Sequence, residues 1–119
     1  MHSDGAGVQR RLADIRHNIH LARKFLDGLA YETFRGNDLV FYAVTRCLEI
    51  ISEASRGIPA EVKARHPNIP WAEIAGAGNV YRHDYEDVRQ RLVWGTVHNR
   101  LHALLEVVEL ELRRFDALP

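Results

Sequence analysis

Apolar residues recur along the chain at alternating spacings of four and three, first at Val8, Leu12, Ile15, Ile19, Ala22, Leu26 and Leu29. An α-helix turns once in 3.6 residues, so this spacing gathers them into one stripe and predicts an amphipathic helix. The opposite side carries Arg10, Arg11, Arg16, Arg23 and Lys24, which read as a solvated face. Residues 1–7, rich in glycine and polar groups, are expected as a disordered N-terminus, with one domain over residues 8–119. A break falls between Gly28 and Gly36, and Asn37 or Asp38 then offers an N-cap. The second stripe runs Phe41, Val44, Leu48, Ile51, Ala54 or Ser55, and Ile58, and ends near Gly57 and Pro59.

Pro59 to His66 allows one short helix, and Pro67-Asn68-Ile69-Pro70 is rigid punctuation. Trp71 to Arg82 predicts a third helix, although Gly76 and Gly78 each cost it about 1 kcal/mol relative to alanine. A loop at those glycines is the competing reading. A final helix, after Asp84-Tyr85-Glu86-Asp87, places Trp94, Val97, Leu101, Leu104 or Leu105, Val108, Leu112 and Phe115 on its core side. No stretch alternates with period two, so the expected class is all-α. The architecture is an up-down four-helix bundle with a short extra helix. Leu21, Phe25, Leu105 and Leu110 fall outside the main seams and suggest a second apolar stripe, covered in a homodimer.

At 119 residues with a net charge of zero, the chain makes one domain without a global field toward nucleic acid or membrane. Its basic residues are nevertheless nearly all arginine, Lys24 and Lys63 excepted, and arginine grips phosphate in a bidentate way. The lone Cys47 excludes an intramolecular disulfide and a cysteine-built zinc site, and reads as a small core residue. No secretory h-region or membrane-length apolar run is visible, so a cytoplasmic protein with no membrane partner is expected.

Candidate chemistry concentrates in Gly76-Ala77-Gly78-Asn79-Val80-Tyr81-Arg82-His83-Asp84-Tyr85. Asn79, Arg82 and His83 are three and four apart and share one helix face. An amide, a permanent cation and a group titrating near neutrality together suit an anion such as phosphate; a polar helix end is the structural alternative. His83 has the chemistry of a general acid or base, and equally that of a cap. Arg46, Glu49 and Glu53 interrupt the second stripe, either as surface pairs or as groups meeting the central stretch. His98 and His102 are i,i+4, but Asn99 follows His98 where HExxH has its glutamate, so neither a metal site nor a cofactor is expected.

Arg46-Cys47-Leu48-Glu49-Ile50-Ile51-Ser52-Glu53-Ala54, together with Asn79 to Tyr85 and Val93-Trp94, resembles the HepT-like family of the HEPN superfamily. The likeness covers nearly the whole chain from about Val8. It implies a helical homodimer acting as a metal-independent endoribonuclease toxin. His83 and Asn79 then match catalytic positions, with Arg82 as the neighbouring cation and Arg46 or Arg82 on the RNA phosphate. Tyr85 matches the tyrosine that a partner nucleotidyltransferase, MntA-like, adenylylates to silence the toxin. Where the family carries its motif arginine this chain has Gly78, so a degenerate binding module that meets the same partner without cleaving RNA is the alternative. A nucleotide-binding helper subunit is a third reading.

Overall fold

The computed structural model describes the backbone of residues 5–83 and 86–117, and the side chains of residues 5–78 and 87–117. Seven helices follow one another: α1 (Gly5–Leu26), α2 (Tyr31–Arg35), α3 (Asp38–Arg56), α4 (Ala60–Ala64), α5 (Trp71–His83), α6 (Glu86–Asn99) and α7 (Leu101–Asp116). No strand occurs among the described residues. The class is all-α, and the long helices pack as the bundle that the periodicity predicts, with α2 and α4 as short connectors.

α1 begins at Gly5, inside the stretch expected as a frayed end, and buries Val8, Leu12, Ile15, Ile19, Ala22 and Leu26. Arg23 and Lys24 lie in its last turn, where cations suit the negative end of the helix dipole. The helix stops before Leu29 because Gly28 takes φ +75°, a left-handed conformation that glycine adopts without a Cβ penalty. α3 starts where its cap predicts: the Asn37 carboxamide oxygen accepts the Val40 amide at 3.1 Å. It stops at Gly57, whose missing side chain makes room for Arg11, since a Cβ there would lie 2.2 Å from the guanidinium.

Two elements depart from the sequence reading. The break between Gly28 and Gly36 contains α2, which inserts the fully buried Phe34 among Tyr31, Phe41 and Trp94, with ring centroids 5.3–6.2 Å away. Five residues are too few for a periodicity to show. The expected final helix is two, broken at Arg100 (φ −118°, ψ −26°). Buried Val93, Val97, Leu101, Leu104 and Val108 keep spacings of three and four across that break, so the apolar phase hides it.

α1 packs along α3 and α7, and α5 lies chiefly along α3. The second stripe expected for a dimer is largely used by the fold: Leu105 is buried, and Leu21 and Phe25 pack half-buried on the core. Leu110 stays exposed. So do Leu39 and Tyr42 on one face of α3, and Val88 and Leu92 on one face of α6. Among the described residues, no helix is long and apolar enough to cross a membrane.

Candidate nuclease site around the fifth helix

α5 is continuous through Gly76 and Gly78 to His83, which removes the loop alternative. Asn79, Arg82 and His83 therefore fall in its last turns; their side chains, like all of Tyr85, lie outside the described residues. Two glycines in a helix are costly unless packing offsets them. Gly78 faces α3: a Cβ there would stand 3.4 Å from the Ser52 hydroxyl, in ordinary van der Waals contact, so a side chain larger than alanine's would be crowded. A Cβ at Gly76 would meet nothing within 4 Å.

Polar bonds reinforce this approach. Ser52, 1% exposed, donates its hydroxyl to the Ala75 carbonyl of α5 at 2.9 Å. Arg56 donates from Nη1 to the same carbonyl at 2.8 Å, and the same nitrogen lies 3.4 Å from the Ser52 hydroxyl. The sequence reading singled out neither residue as functional. Ser52 lies among the buried positions of α3, and a hydroxyl on a core face requires a partner, so the signal was present.

Arg46 is the one predicted site residue whose side chain is described. Its Nη1 lies 3.5 Å from Glu49 and 3.4 Å from Glu53, both on α3. The guanidinium is more than half exposed, so these pairs add little stability. They do set its chemistry: a phosphate reaching Arg46 competes with two carboxylates.

On its other side α5 walls a groove of about 730 Å³. Ile74 and Ala77 of α5, Leu92 and Thr96 of α6 and Leu104 of α7 line it. Glu73 of α5 and Arg100, at the α6–α7 break, join its walls by an ion pair of 3.4 Å. The lining is mainly apolar and holds no cluster of acid–base groups.

The start of α5 is fixed by a second assembly, which the sequence reading missed. Glu111 of α7 is 2% exposed and accepts from Arg65 on both oxygens, at 2.6 Å on Oε1 and 3.2 Å on Oε2, and His66 Nε2 meets Oε2 at 2.6 Å. Burial pushes the Glu111 carboxyl upward, but the hydrogen bonds from Arg65 and His66, with their charges, prevail and hold it below its ordinary value. The hydrogen bond to Glu111 raises Arg65 in turn. Trp71, the first residue of α5, donates its indole N–H to the His66 carbonyl at 3.0 Å. Glu111 stands in helical phase with buried Leu104 and Val108, and a carboxylate on an apolar stripe is the signal that would have found this cluster.

The remaining chemistry-bearing residues are engaged elsewhere. His98 stacks on Trp94 with centroids 4.2 Å apart, and His102 pairs with Glu106 at 2.6 Å. Among the described residues no group of three or more His, Cys, Asp or Glu side chains is placed to hold a metal ion. Cys47 is buried as expected, and burial pushes its thiol up.

The profile of the family described as "Ribonuclease HepT-like" matches residues 15–110. A provisionally named RNase of Methanocaldococcus jannaschii is 34% identical over 103 residues, 87% of this chain and 94% of the relative. The protein named probable ribonuclease HepT in Thermococcus cleftensis is 39% identical over 93 residues, 78% of this chain and 84% of the relative. A further provisionally named RNase, of Caldanaerobacter subterraneus, is 37% identical over 84 residues, 71% of this chain and 70% of the relative. No solved structure matches the chain.

Proposed function

The chain belongs to the HepT-like ribonuclease family, and on that footing we propose that it is a metal-independent endoribonuclease with His83 at its centre. The observation that carries this reading is the unbroken α5, which puts Asn79, Arg82 and His83 on consecutive turns of one helix within a chain that matches the family over residues 15–110. The chemistry suits these residue types. In cleavage by transesterification the ribose 2′-oxygen attacks phosphorus as the bond to the 5′-oxygen breaks. One proton leaves the 2′-hydroxyl and one reaches the departing oxygen, and an imidazole can make either transfer. Arg82, and Arg46 once drawn from its carboxylates, are the cations for the phosphate, and Asn79 supplies a neutral donor.

The family resemblance extends the proposal to regulation. Tyr85, two residues beyond His83, is the acceptor for adenylylation by a nucleotidyltransferase partner of the MntA type. The added phosphate would set negative charge and bulk beside the histidine and repel RNA. We place the protein in the cytoplasm as a toxin of such a pair, and as a homodimer. The exposed Leu39 and Tyr42 of α3, and Val88 and Leu92 of α6, support the dimer as apolar surface the single chain leaves uncovered.

The second reading is a binding module that has lost cleavage. It is favoured by Gly78, where the family has its arginine and where this chain packs helix on helix. The test is cleavage of RNA by the purified protein in EDTA beside His83→Ala. Cleavage that disappears in the variant supports the nuclease; intact RNA with both proteins supports the binding module.

A further inference from the structure

We propose that Ser52 and Arg56 are positioning residues: from α3 they clamp the Ala75 carbonyl and so set the roll and axial register of the helix that carries the nuclease motif. The assignment to a nuclease rests on the reading of His83 and Asn79 given above. The clamp itself stands on geometry.

In an α-helix the carbonyl of residue 75 is the acceptor for the amide of residue 79. Here that carbonyl also takes two donors from outside its helix, the Ser52 hydroxyl at 2.9 Å and Arg56 Nη1 at 2.8 Å. Three donors then share the carbonyl's two lone pairs, so each bond is weaker than it would be alone, and the set persists only while the helix keeps one position. Ser52 is unusual in what it bonds. The hydroxyls of Ser55 and Thr96 return to carbonyls three and four residues back in their own helices, whereas Ser52 donates across to a neighbour 23 positions on. Gly78 completes the device. A Cβ there would stand 3.4 Å from the Ser52 hydroxyl, at ordinary van der Waals contact, so the bare backbone leaves room beside the clamp that a side chain larger than alanine's would crowd.

Location gives the clamp its consequence. Three described polar ties hold α5: Trp71 to His66, Glu73 to Arg100, and Ala75 to Ser52 and Arg56. The third lies nearest the motif. At 1.5 Å of rise per residue, Asn79 begins about 6 Å beyond Ala75 and His83 about 12 Å beyond it. A tilt of about 5° at Ala75 therefore moves the backbone at residue 83 by about 1 Å, and a roll of about 10° moves an atom about 6 Å off the helix axis by as much. Misplacement of that size costs on the order of 100-fold in a reaction that depends on alignment.

Among the described residues Arg56 forms no ion pair, which would also suit a phosphate ligand. Its donation to Ala75 favours positioning, and the two roles separate by charge. Ser52→Ala removes one donor of the clamp without changing the charge, so a phosphate role for Arg56 leaves that variant's rate at the parent's level, whereas the clamp does not.

The experiment compares the parent with Ser52→Ala and Arg56→Ala. It measures RNA cleavage in EDTA across salt concentrations and amide hydrogen exchange along the chain. The clamp predicts a fall of about tenfold in kcat for each alanine variant, less than the full cost of misplacement because the other donor remains, with KM and salt dependence nearly unchanged. Exchange should quicken over residues 75–83 and stay at the parent's level in α7. Parent-like rates and exchange in both alanine variants would overturn the proposal. So would a loss confined to Arg56→Ala with a shallower salt dependence, which marks a phosphate contact. Faster exchange in every helix would also overturn it, by reducing Ser52 and Arg56 to general stability. A parent that leaves RNA intact sinks the nuclease reading separately, and exchange over α5 then decides the clamp alone.

Discussion

Removing the carboxylate of Glu111 should cost more stability than any other single polar change in the described structure. The group is 2% exposed and serves Arg65 at 2.6 Å and His66 at 2.6 Å, with Arg114 farther off at 3.8 Å. Breaking a buried pair from one side typically costs 3–5 kcal/mol, because the partners stay behind uncompensated. The Arg65 side chain is 39% exposed and regains water, which places the cost of Glu111→Leu near the lower end, at about 3 kcal/mol. For a chain of 119 residues, unfolding entropy of roughly 2 cal/mol/K per residue converts that to a fall in Tm of about 12 °C. Glu111→Gln keeps the volume and an acceptor for Arg65, so it should lose about 2 kcal/mol, the share that depends on charge. The pH dependence has a definite sign. The carboxyl is held below its ordinary value near 4.5 in the folded chain, so its contribution is complete above that value and is lost as pH falls through the lower, folded one. Thermal melts followed by circular dichroism at pH 7 and down to pH 3 provide the assay. The gap between parent and Glu111→Gln should narrow below about pH 4.5. A Gln variant within 0.5 kcal/mol of the parent at pH 7, or a gap that does not narrow in acid, would refute the reasoning.

Other substitutions probe the helices around the site. Gly76→Ala should stabilise the protein by about 0.5–1 kcal/mol, because its Cβ would meet nothing within 4 Å and the helix gains propensity; a loss of stability in denaturant titration would show an unrecognised contact. Asn37→Ala should cost about 1 kcal/mol through the lost cap on the Val40 amide, and Asn37→Asp should recover most of it in the same titration. Cys47, buried with its thiol pushed up, should resist thiol reagents at pH 7 in the folded chain and react promptly in denaturant; fast labelling of the native protein contradicts the burial.

The long helices could be read from the chain because each buries one stripe, and a stripe is a property of spacing alone. Val8 to Leu26 and Phe41 to Ile51 are buried as the periodicity places them. What escaped was information that spacing does not carry. α2 is defined by where Phe34 packs, and the break at Arg100 leaves the apolar phase undisturbed. The site divides in the same way. Asn79, Arg82 and His83 could be singled out because they are chemically distinctive and helically spaced. Ser52 and Arg56 belong to the site only through a carbonyl on another helix, and no local pattern announces which carbonyl that is. Gly78 shows both sides of this limit. In the sequence it is a missing arginine, and in the fold it is the point where α5 touches Ser52.

The most direct test of the central claim sets an RNA oligonucleotide against its 2′-deoxy counterpart in EDTA, with the parent protein and the products' ends identified. A nuclease working through the 2′-hydroxyl and His83 should cut only the RNA and leave a 2′,3′-cyclic phosphate or 3′-phosphate. Cleavage of the deoxy strand, or cleavage that leaves a 5′-phosphate, would contradict that chemistry. An RNA left whole would contradict the nuclease itself.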